Sequence, residues 1–352
     1  MKQISHIKIF YHKYQYALIN AFKASIASLI GYLTGHYLGN SLGISQMYGW
    51  IVVTILVVMS SQPNLGGAID KALMRFIVTT IAATIAIIII FFMHHYQLIQ
   101  LIMSLCLILI GVFIANSIPK YTYAGVLGAI TIAITMFGQE VTVSFAFFRA
   151  LEVLIGIVIA LIVNRFLLPI RAEKQIEKSF SETIDEIRNL LQLILKGGEY
   201  DTSLEKVFNH FSKQIALVKE IRYEKARVYL EDYKKINHSI RKLYRHLRVV
   251  YEYIETYPNK RACYQKHEQF LLFYQEIDEL LLLLSKSFYE KKVICHDKLT
   301  HIKVTLNDFT SSFQMDEKFR YSNTLVFSLS TVILSIESIM IHQKNIYQIS
   351  KS

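Results

Sequence analysis

The stretch SQMYGWIVVTILVVMSSQPNLGGAIDKALMRFIVTTIAAT, residues 45–84, decides how the rest of the chain is read. Residues 50–59 are uncharged and mostly apolar, and this run ends at a break rich in Gly and Pro, residues 62–67. Three charged residues follow the break, and residues 76–93 again carry no charge. A helix needs about 20 apolar residues to cross a bilayer, and its backbone groups must bond within the helix. Two apolar segments joined by a polar break therefore predict a membrane hairpin.

The charges are distributed unevenly between the two halves of the chain. Residues 1–170 hold nine of the 38 Lys and Arg residues and three of the 27 acidic residues. The boundary falls at Pro169, after which charged residues become frequent. Segments poor in charge favour a membrane, whereas charged amphipathic helices favour water. We therefore predict an all-α protein with a transmembrane domain, residues 1–170, and a cytosolic α-helical bundle, residues 171–352.

Six apolar segments have a length close to that of a membrane-spanning helix. They lie at about residues 17–42, 46–62, 72–93, 98–115, 121–137 and 147–168. A further apolar segment, residues 321–341, contains Asn323 and Glu337, and we expect it to pack against neighbouring helices of the second half. The prediction is a polytopic membrane protein with six transmembrane helices.

Basic residues set the orientation of the predicted spans, because Lys and Arg accumulate in cytoplasmic loops. They occur before the first span, between the second and third, between the fourth and fifth, and after the sixth. The opposite loops, residues 40–45, 94–97 and 138–143, contain no Lys or Arg. Six crossings then place both termini in the cytoplasm.

Charged and amide side chains within the spans are the candidate substrate or pore residues. Ionisable groups in a membrane are costly and usually face a partner or a wet cavity. The candidates are Lys71, Arg75, Arg149, Glu152, Asn164 and Arg165. Their excess of positive charge would attract anions.

Several of these side chains also have a structural interpretation. Arg75 lies at the predicted inner mouth, where it either contacts substrate or anchors its helix. Arg149 and Glu152 are three residues apart, so they can form an ion pair on one helix face. Arg165 can anchor the cytoplasmic end of the sixth span, and Lys23 can extend its ammonium group to the membrane surface.

Small residues at four-residue spacing predict close helix packing. One such ladder lies in the first span and another, which includes Gly156, lies in the sixth. The predicted helix-packing residues are Gly31, Gly35, Gly39, Trp50, Pro63 and Gly156. A pore-lining or subunit-contact role for the ladders stays open.

One segment of the second half is strongly basic, since residues 234–248 contain six Lys and Arg residues and no acidic residue. A solvated or lipid-facing basic surface explains this composition, and anion capture is the alternative. No recognisable nucleic-acid module surrounds the segment, so we predict no nucleic-acid partner.

The sequence lacks common enzyme motifs. No Gly is followed by Lys, which excludes a P-loop, and no HExxH, GxSxG or paired-Cys motif occurs. The three Cys residues are scattered and odd in number, which argues against a disulfide framework. We therefore expect no enzymatic activity, no cofactor and no bound metal.

Several motifs occur in the order found in a known family. Residues 48–54, YGWIVVT, precede residues 62–66, QPNLG, and Lys71, Arg75 and Thr79 follow. This order of an aromatic-Trp helix, a Gln-Pro turn and an Arg-led helix resembles the signature of the fusaric acid resistance and aromatic acid exporter superfamily. The third helix lacks the Gly that usually follows the Arg in that family.

The resemblance continues in the later helices. Residues 121–124, YTYA, resemble the family's fifth helix, and residues 149–156 with 164–169 resemble its sixth. It covers about residues 17–175, whereas the second half matches only in its general helical character. The resemblance implies a transporter of the bacterial inner membrane that exports aromatic or carboxylic anions.

Many members of this family carry two membrane blocks and two cytosolic blocks, whereas this chain has one of each. The resemblance therefore implies a homodimer with a shared pore, in contact with the lipid bilayer and with a small organic anion. The layout is also similar to that of the plant aluminium-activated malate transporters, which keeps a passive anion channel open. A membrane-anchored helical scaffold without transport is the alternative of another class.

Overall fold

The all-α prediction is confirmed, because no β-strand occurs among the residues that the structure describes. The computed structural model describes residues 2–43, 47–60, 65–93, 95–137, 142–197, 201–315 and 323–349. Pro63, one of the predicted packing residues, lies outside these ranges. The chain divides into two compact units, Met1–Ile170 and Arg171–Ser352. Their assignment to membrane and cytosol stays a prediction.

The first unit is built from long apolar helices. They are α1 (Lys2–Leu42), α2 (Met47–Ser60), α3 (Leu65–Met93), α4 (Gln97–Ser117), α5 (Thr122–Phe137) and α6 (Val143–Phe166). A 3₁₀ turn, Pro119–Tyr121, connects α4 to α5. The start of α6 is capped by Thr142, whose hydroxyl accepts a hydrogen bond from the Phe145 backbone N–H at 3.2 Å.

Six helices of the described residues are long and apolar enough to cross a membrane, which supports a multi-pass membrane protein. These segments are Tyr14–Leu42, Leu65–Met93, Gln97–Ser117, Pro119–Phe137, Val143–Phe166 and Asn323–Gln348. Five of them overlap predicted spans. The predicted span 46–62 does not qualify, because its described helix has 14 residues and a length of only about 21 Å.

The short helix α2 is the central element of the first unit. Its residues Met47, Ile51, Ile55 and Val58 are fully buried. It packs against α1 on one side and α6 on the other. Val53 and Leu56 of the same helix are exposed, so burial against α1 and α6 accounts for only part of the apolar run, and a short span is compatible with this packing.

Glycines of α1 and α6 allow both helices to approach α2 closely. A Cβ atom on Gly31 would collide with the side chain of Ile55, and one on Gly35 would collide with the backbone of Tyr48. On α6, a Cβ atom on Gly156 would lie 2.9 Å from a backbone carbonyl oxygen of α2. The ladder of α1, which also includes the buried Gly39, thus lies in contacts within the chain.

The third helix begins earlier than the sequence predicted. We expected it to start near residue 72, yet α3 starts at Leu65, and Gly66 and Gly67 lie buried in its first turn. These glycines can remain helical because burial against neighbouring helices offsets their weak helix propensity. The seven added residues lengthen the helix by about 10 Å. Arg75 is therefore almost three turns inside α3 and does not start the helix.

The second unit contains seven helices in the described residues. They are α7 (Ala172–Lys196), α8 (Asp201–Ile221), α9 (Leu230–Thr256), α10 (Pro258–Tyr264), α11 (Glu268–Glu290), α12 (Asp297–Met315) and α13 (Asn323–Ile349). The apolar face of α7, which includes Ile176, Phe180 and Ile184, lies fully buried in the core. The helix α13 qualifies as a span by length and composition, but its Leu329, Val332 and neighbouring apolar residues belong to this same core.

The break between α8 and α9 places an acidic side chain at the start of α7. The Glu224 carboxylate accepts hydrogen bonds from the backbone N–H groups of Ala172 at 2.7 Å and Glu173 at 3.2 Å. These donors are among the unpaired N–H groups of the first helical turn, where a negative charge is favourable. Burial nevertheless raises the pKa of Glu224, and the two backbone donors oppose this shift.

The packing of α1 on α2 predicts different outcomes for two Gly→Ala substitutions. Gly35→Ala should lower the unfolding temperature, because its Cβ would meet the Tyr48 backbone and overpacking costs about 1–3 kcal/mol. Gly49→Ala is the matched control, since no atom lies within 4 Å of its Cβ position, and it should be neutral or slightly stabilising. Thermal unfolding of both variants in detergent measures the difference. An equal change in both would contradict this packing.

Candidate functional site

Each of the helices α1 to α6 contributes at least one buried polar side chain. In the described part of the first unit they are Lys23, Thr54, Arg75, Thr79, Ser104, Thr131, Thr135, Arg149, Glu152 and Asn164. Three of these side chains are basic and only one is acidic. The buried groups therefore carry an excess of positive charge, and the charged ones lie in three clusters.

The first cluster joins the start of α6 to α2. Arg149 and Glu152 form an ion pair with 2.9 Å between Nη1 and Oε2, as their spacing predicted, and both side chains are buried. The guanidinium also lies over the ring of Trp50, 3.9 Å from its centroid, and 5.1 Å from that of Phe145. Trp50, expected only as a packing residue, therefore supplies a cation–π contact as well.

The second cluster surrounds Arg75 of α3. Its Nη2 donates a hydrogen bond to the Thr54 hydroxyl at 3.1 Å, and the side chain is buried. Its Nε and Nη1 atoms have no hydrogen-bond partner among the described residues. The Tyr123 hydroxyl lies beside the guanidinium without hydrogen-bond geometry, and the ammonium of Lys71 lies 5.3 Å from the Tyr123 ring centroid. Arg75 thus has hydroxyl neighbours but no carboxylate within ion-pair distance in the described structure.

The third cluster joins α1 to the last turns of α6. Lys23 donates a hydrogen bond from Nζ to Oδ1 of Asn164, and both side chains are almost completely buried. Nearby in sequence, Asn20 donates from Nδ2 to the carbonyl oxygen of Met59 at 3.0 Å. The expectation that Lys23 extends to the membrane surface is therefore wrong. Its side chain points instead toward α6, where an amide oxygen replaces water as its acceptor.

The remaining candidate, Arg165, is not part of these clusters. Its side chain is exposed at the end of α6, and its guanidinium lies 5.9 Å from the ring centroid of Phe166. Arg149 and Asn164 are fifteen positions apart on α6, a rise of about 22 Å. The first and third clusters are therefore about 22 Å apart along α6, and the hydrocarbon core of a bilayer is roughly 30 Å thick.

Several residues of the clusters were absent from the sequence-based candidates, among them Lys23, Thr54 and Tyr123. A signal for Lys23 was present, because it continues the ladder of Gly31, Gly35 and Gly39 at the same four-residue spacing and so shares its face. No comparable signal marks Thr54 or Tyr123. A hydroxyl group in an apolar helix commonly bonds to its own backbone, so its long-range partner cannot be read from the sequence.

A model of the fusaric acid resistance protein family matches residues 17–269. The chain belongs to this family. No curated protein matches the chain in a sequence search. Membership supports a role in membrane transport, and it agrees with the apolar helices of the first unit.

The match also corrects the extent of the resemblance. We expected it to end near residue 175, but it continues through α7, α8, α9 and α10 to the start of α11. The family model therefore includes a large part of the second unit as well as the apolar helices. These charged helices contain no recognisable short motif, so their share in the family pattern is not evident from the sequence alone.

The contact of Trp50 with Arg149 can be measured by a double-mutant cycle. Trp50→Leu should lower the free energy of unfolding by about 2 kcal/mol more than Trp50→Phe, because Phe retains an aromatic face for the buried cation. In an Arg149→Met background this difference should shrink, since the cation is then absent. Thermal or denaturant unfolding of the four variants supplies the energies. An undiminished difference would show that ring packing alone explains the effect.

Proposed function

We propose that the protein is a homodimeric exporter of organic anions, aromatic or carboxylic, in the inner membrane of a bacterium. In this proposal residues 1–170 form the transmembrane domain, residues 171–352 form a cytosolic domain, and both termini are cytoplasmic. The family supports the transport role. The observation that carries the anion specificity is the buried and uncompensated guanidinium of Arg75.

The charge balance of the clusters supports an anionic substrate. A buried charge is costly unless an opposite charge or several hydrogen bonds compensate it. Arg149 has Glu152, whereas Arg75 and Lys23 have only neutral hydrogen-bond partners among the described residues. A carboxylate entering the first unit would supply the missing negative charge. Arg75 is therefore the principal candidate for the substrate contact, and Arg149 is second because its charge is already paired.

The neighbours of the two arginines favour substrates that carry a ring. Trp50 lies against Arg149, and Tyr123 lies beside Arg75. An aromatic acid could place its carboxylate on a guanidinium while its ring packs against an aromatic side chain. Free donor atoms on Arg75, Nε and Nη1, are available to a carboxylate in the described structure.

The spacing of the clusters is also compatible with a passive anion channel. An ion crosses a conduit readily when several moderate binding sites follow each other along the path. The clusters near Arg149, Arg75 and Asn164 occur at successive levels of the first unit. A channel and an exporter would use the same residues, so the geometry of the clusters does not distinguish the two mechanisms. The kinetics of flux do distinguish them.

A homodimer is supported by the surface of α4. Only Ser104 and Ala115 of this helix are buried within the described chain, and most of its remaining residues are apolar and exposed or half-buried. Such a surface can contact lipid or a second copy of the helix. This chain has one membrane unit where many members of the family have two, so we propose that a second copy of the chain contacts α4.

Flux of an aromatic carboxylate such as benzoate tests the role of Arg75. In proteoliposomes, Arg75→Gln should reduce flux by about 10- to 100-fold, the effect expected when a hydrogen bond to a charged group is lost. Arg75→Lys should retain part of the flux because the positive charge remains. Arg165→Gln is the matched control, since this arginine is exposed and lies outside the clusters.

Three outcomes of this experiment would change the proposal. Unchanged flux in well-folded Arg75→Gln would remove Arg75 from the pathway. Flux that is fast, does not saturate and follows the membrane potential would favour the channel. Absence of flux for all carboxylates in the wild-type protein would favour a membrane-anchored scaffold.

The oligomeric state is tested separately in lipid nanodiscs. We expect a protein mass of twice the 40.8 kDa chain, measured by native mass spectrometry. Gly111 lies at the contact of α4 with α5, where an added Cβ would lie 3.0 Å from a backbone oxygen and the variant could misfold. We therefore leave Gly111 unchanged in this experiment. Charged substitutions at the exposed Leu109 and Phe113 of α4 should yield the single-chain mass if α4 forms the interface. A single-chain mass for the wild-type protein would contradict the dimer.

A further inference from the structure

An open groove lies between α9 and α13 of the second unit, independent of the transport proposal. It has a volume of about 310 Å³. The lining residues are Lys234, Lys235, His238, Ser239, Ser338 and His342. Four of the six carry or can carry a positive charge, and none is acidic. The groove also contains the start of the basic segment 234–248, whose role the sequence left open.

The base of the groove presents hydroxyl groups. The Ser239 hydroxyl donates to the Ser338 hydroxyl oxygen at 2.9 Å, which leaves the Ser338 hydrogen free to donate to a bound group. At one end, Nδ1 of His342 pairs with Asp232 at 2.7 Å, so its Nε2 atom remains available. The same Asp232 oxygen also accepts a hydrogen bond from Asn345 at 3.0 Å. The carboxylate nearest the groove is thus occupied by its own partners.

The cations of the groove differ in how they are compensated. Lys234 pairs with Glu231 at 2.6 Å. Lys235 and His238, in contrast, have no hydrogen-bond or ion-pair partner among the residues that the structure describes, and both side chains are exposed. Lys235, and His238 when it is protonated, therefore contribute positive potential without an ion-pair partner of their own among the described residues.

The positive potential continues along α9. Lys242 and Arg245 follow Lys235 and His238 at spacings of seven residues each, which places all four on one side of the helix. Neither Lys242 nor Arg245 forms an ion pair in the described part of the chain. A stripe of this kind raises the local concentration of anions at the groove.

We propose that this groove binds a phosphate-bearing ligand. Lys235 supplies positive charge, as does His238 when it is protonated. The Ser338 hydroxyl can donate a hydrogen bond, and Nε2 of His342 donates one when both nitrogens of its ring are protonated. A phosphate group fits this set better than a carboxylate, because it has more charge and more acceptor oxygens to satisfy several donors at once. The volume lies at the lower end of the range for small-molecule sites, which suits a phosphorylated headgroup or a small phosphate ester.

Binding measurements on the full chain in nanodiscs of phosphatidylcholine test the site. Glycerol 3-phosphate is titrated as the soluble probe, and retention of phosphatidylglycerol over phosphatidylcholine is measured by native mass spectrometry as the lipid probe. The double variant Lys235→Gln/His238→Gln should weaken binding of the preferred probe by at least about tenfold. Both side chains are exposed, so the variant should fold as the wild-type protein does.

The control removes the same two residue types elsewhere. His296→Gln/Lys298→Gln changes exposed residues at the start of α12 and should leave binding unchanged. Binding of glycerol 3-phosphate alone identifies a soluble ligand, and selective retention of phosphatidylglycerol identifies a lipid headgroup. If the wild-type protein binds neither probe, the proposal is overturned. It is also overturned if the control variant loses as much binding as the Lys235→Gln/His238→Gln variant, since the probe would then be attracted by net charge only. The readout does not depend on flux, so its failure is distinct from failure of the transport proposal.

Discussion

The close approach of α2 to its two neighbours is the constraint on which the first unit depends. Gly31 and Gly35 of α1 meet one side of α2, and Gly156 of α6 meets the other. Because glycine has no side chain, atoms of adjacent helices come into direct contact at these positions. In lipid, the hydrophobic effect does not drive helices together, so the dispersion attraction between these closely packed atoms stabilises the contact. The same approach brings Trp50 of α2 to Arg149 of α6, so the first polar cluster follows from this packing, whereas the contact of Thr54 with Arg75 also depends on α3.

The clusters differ in the group that compensates each buried cation. Arg149 has a carboxylate and an aromatic face, Arg75 has a hydroxyl, and Lys23 has an amide oxygen. In a medium of low dielectric constant, a neutral partner stabilises a cation far less than an anion does. This gradation is the physical basis for our proposal that Arg75 contacts the substrate. A count of the basic residues in the predicted spans does not show which cations are buried without an anionic partner. The exposed Arg165, for example, adds to the count but not to the buried charge.

The second unit combines a conventional helical core with an unusual surface. Its amphipathic helices bury regular apolar faces, as α7 shows with Ile176 and Phe180. The contact of α9 with α13 is antiparallel, because Asp232 meets His342 whereas Ser239 meets Ser338. This pairing places the basic side of α9 along a groove instead of against a neighbouring acidic helix. The family match continues through α9, so the groove lies partly within the region that defines the family.

The sequence by itself determined the helical class, the boundary near residue 170 and the pairing of Arg149 with Glu152. Each of these follows from local composition or from the periodicity of one helix. Only the tertiary structure decided that α3 continues back to Leu65 and that Lys23 is buried. Partners such as Arg75 with Thr54 and Lys23 with Asn164 are 21 and 141 residues apart. Which helix faces meet depends on packing between distant segments, and no local pattern encodes those distances.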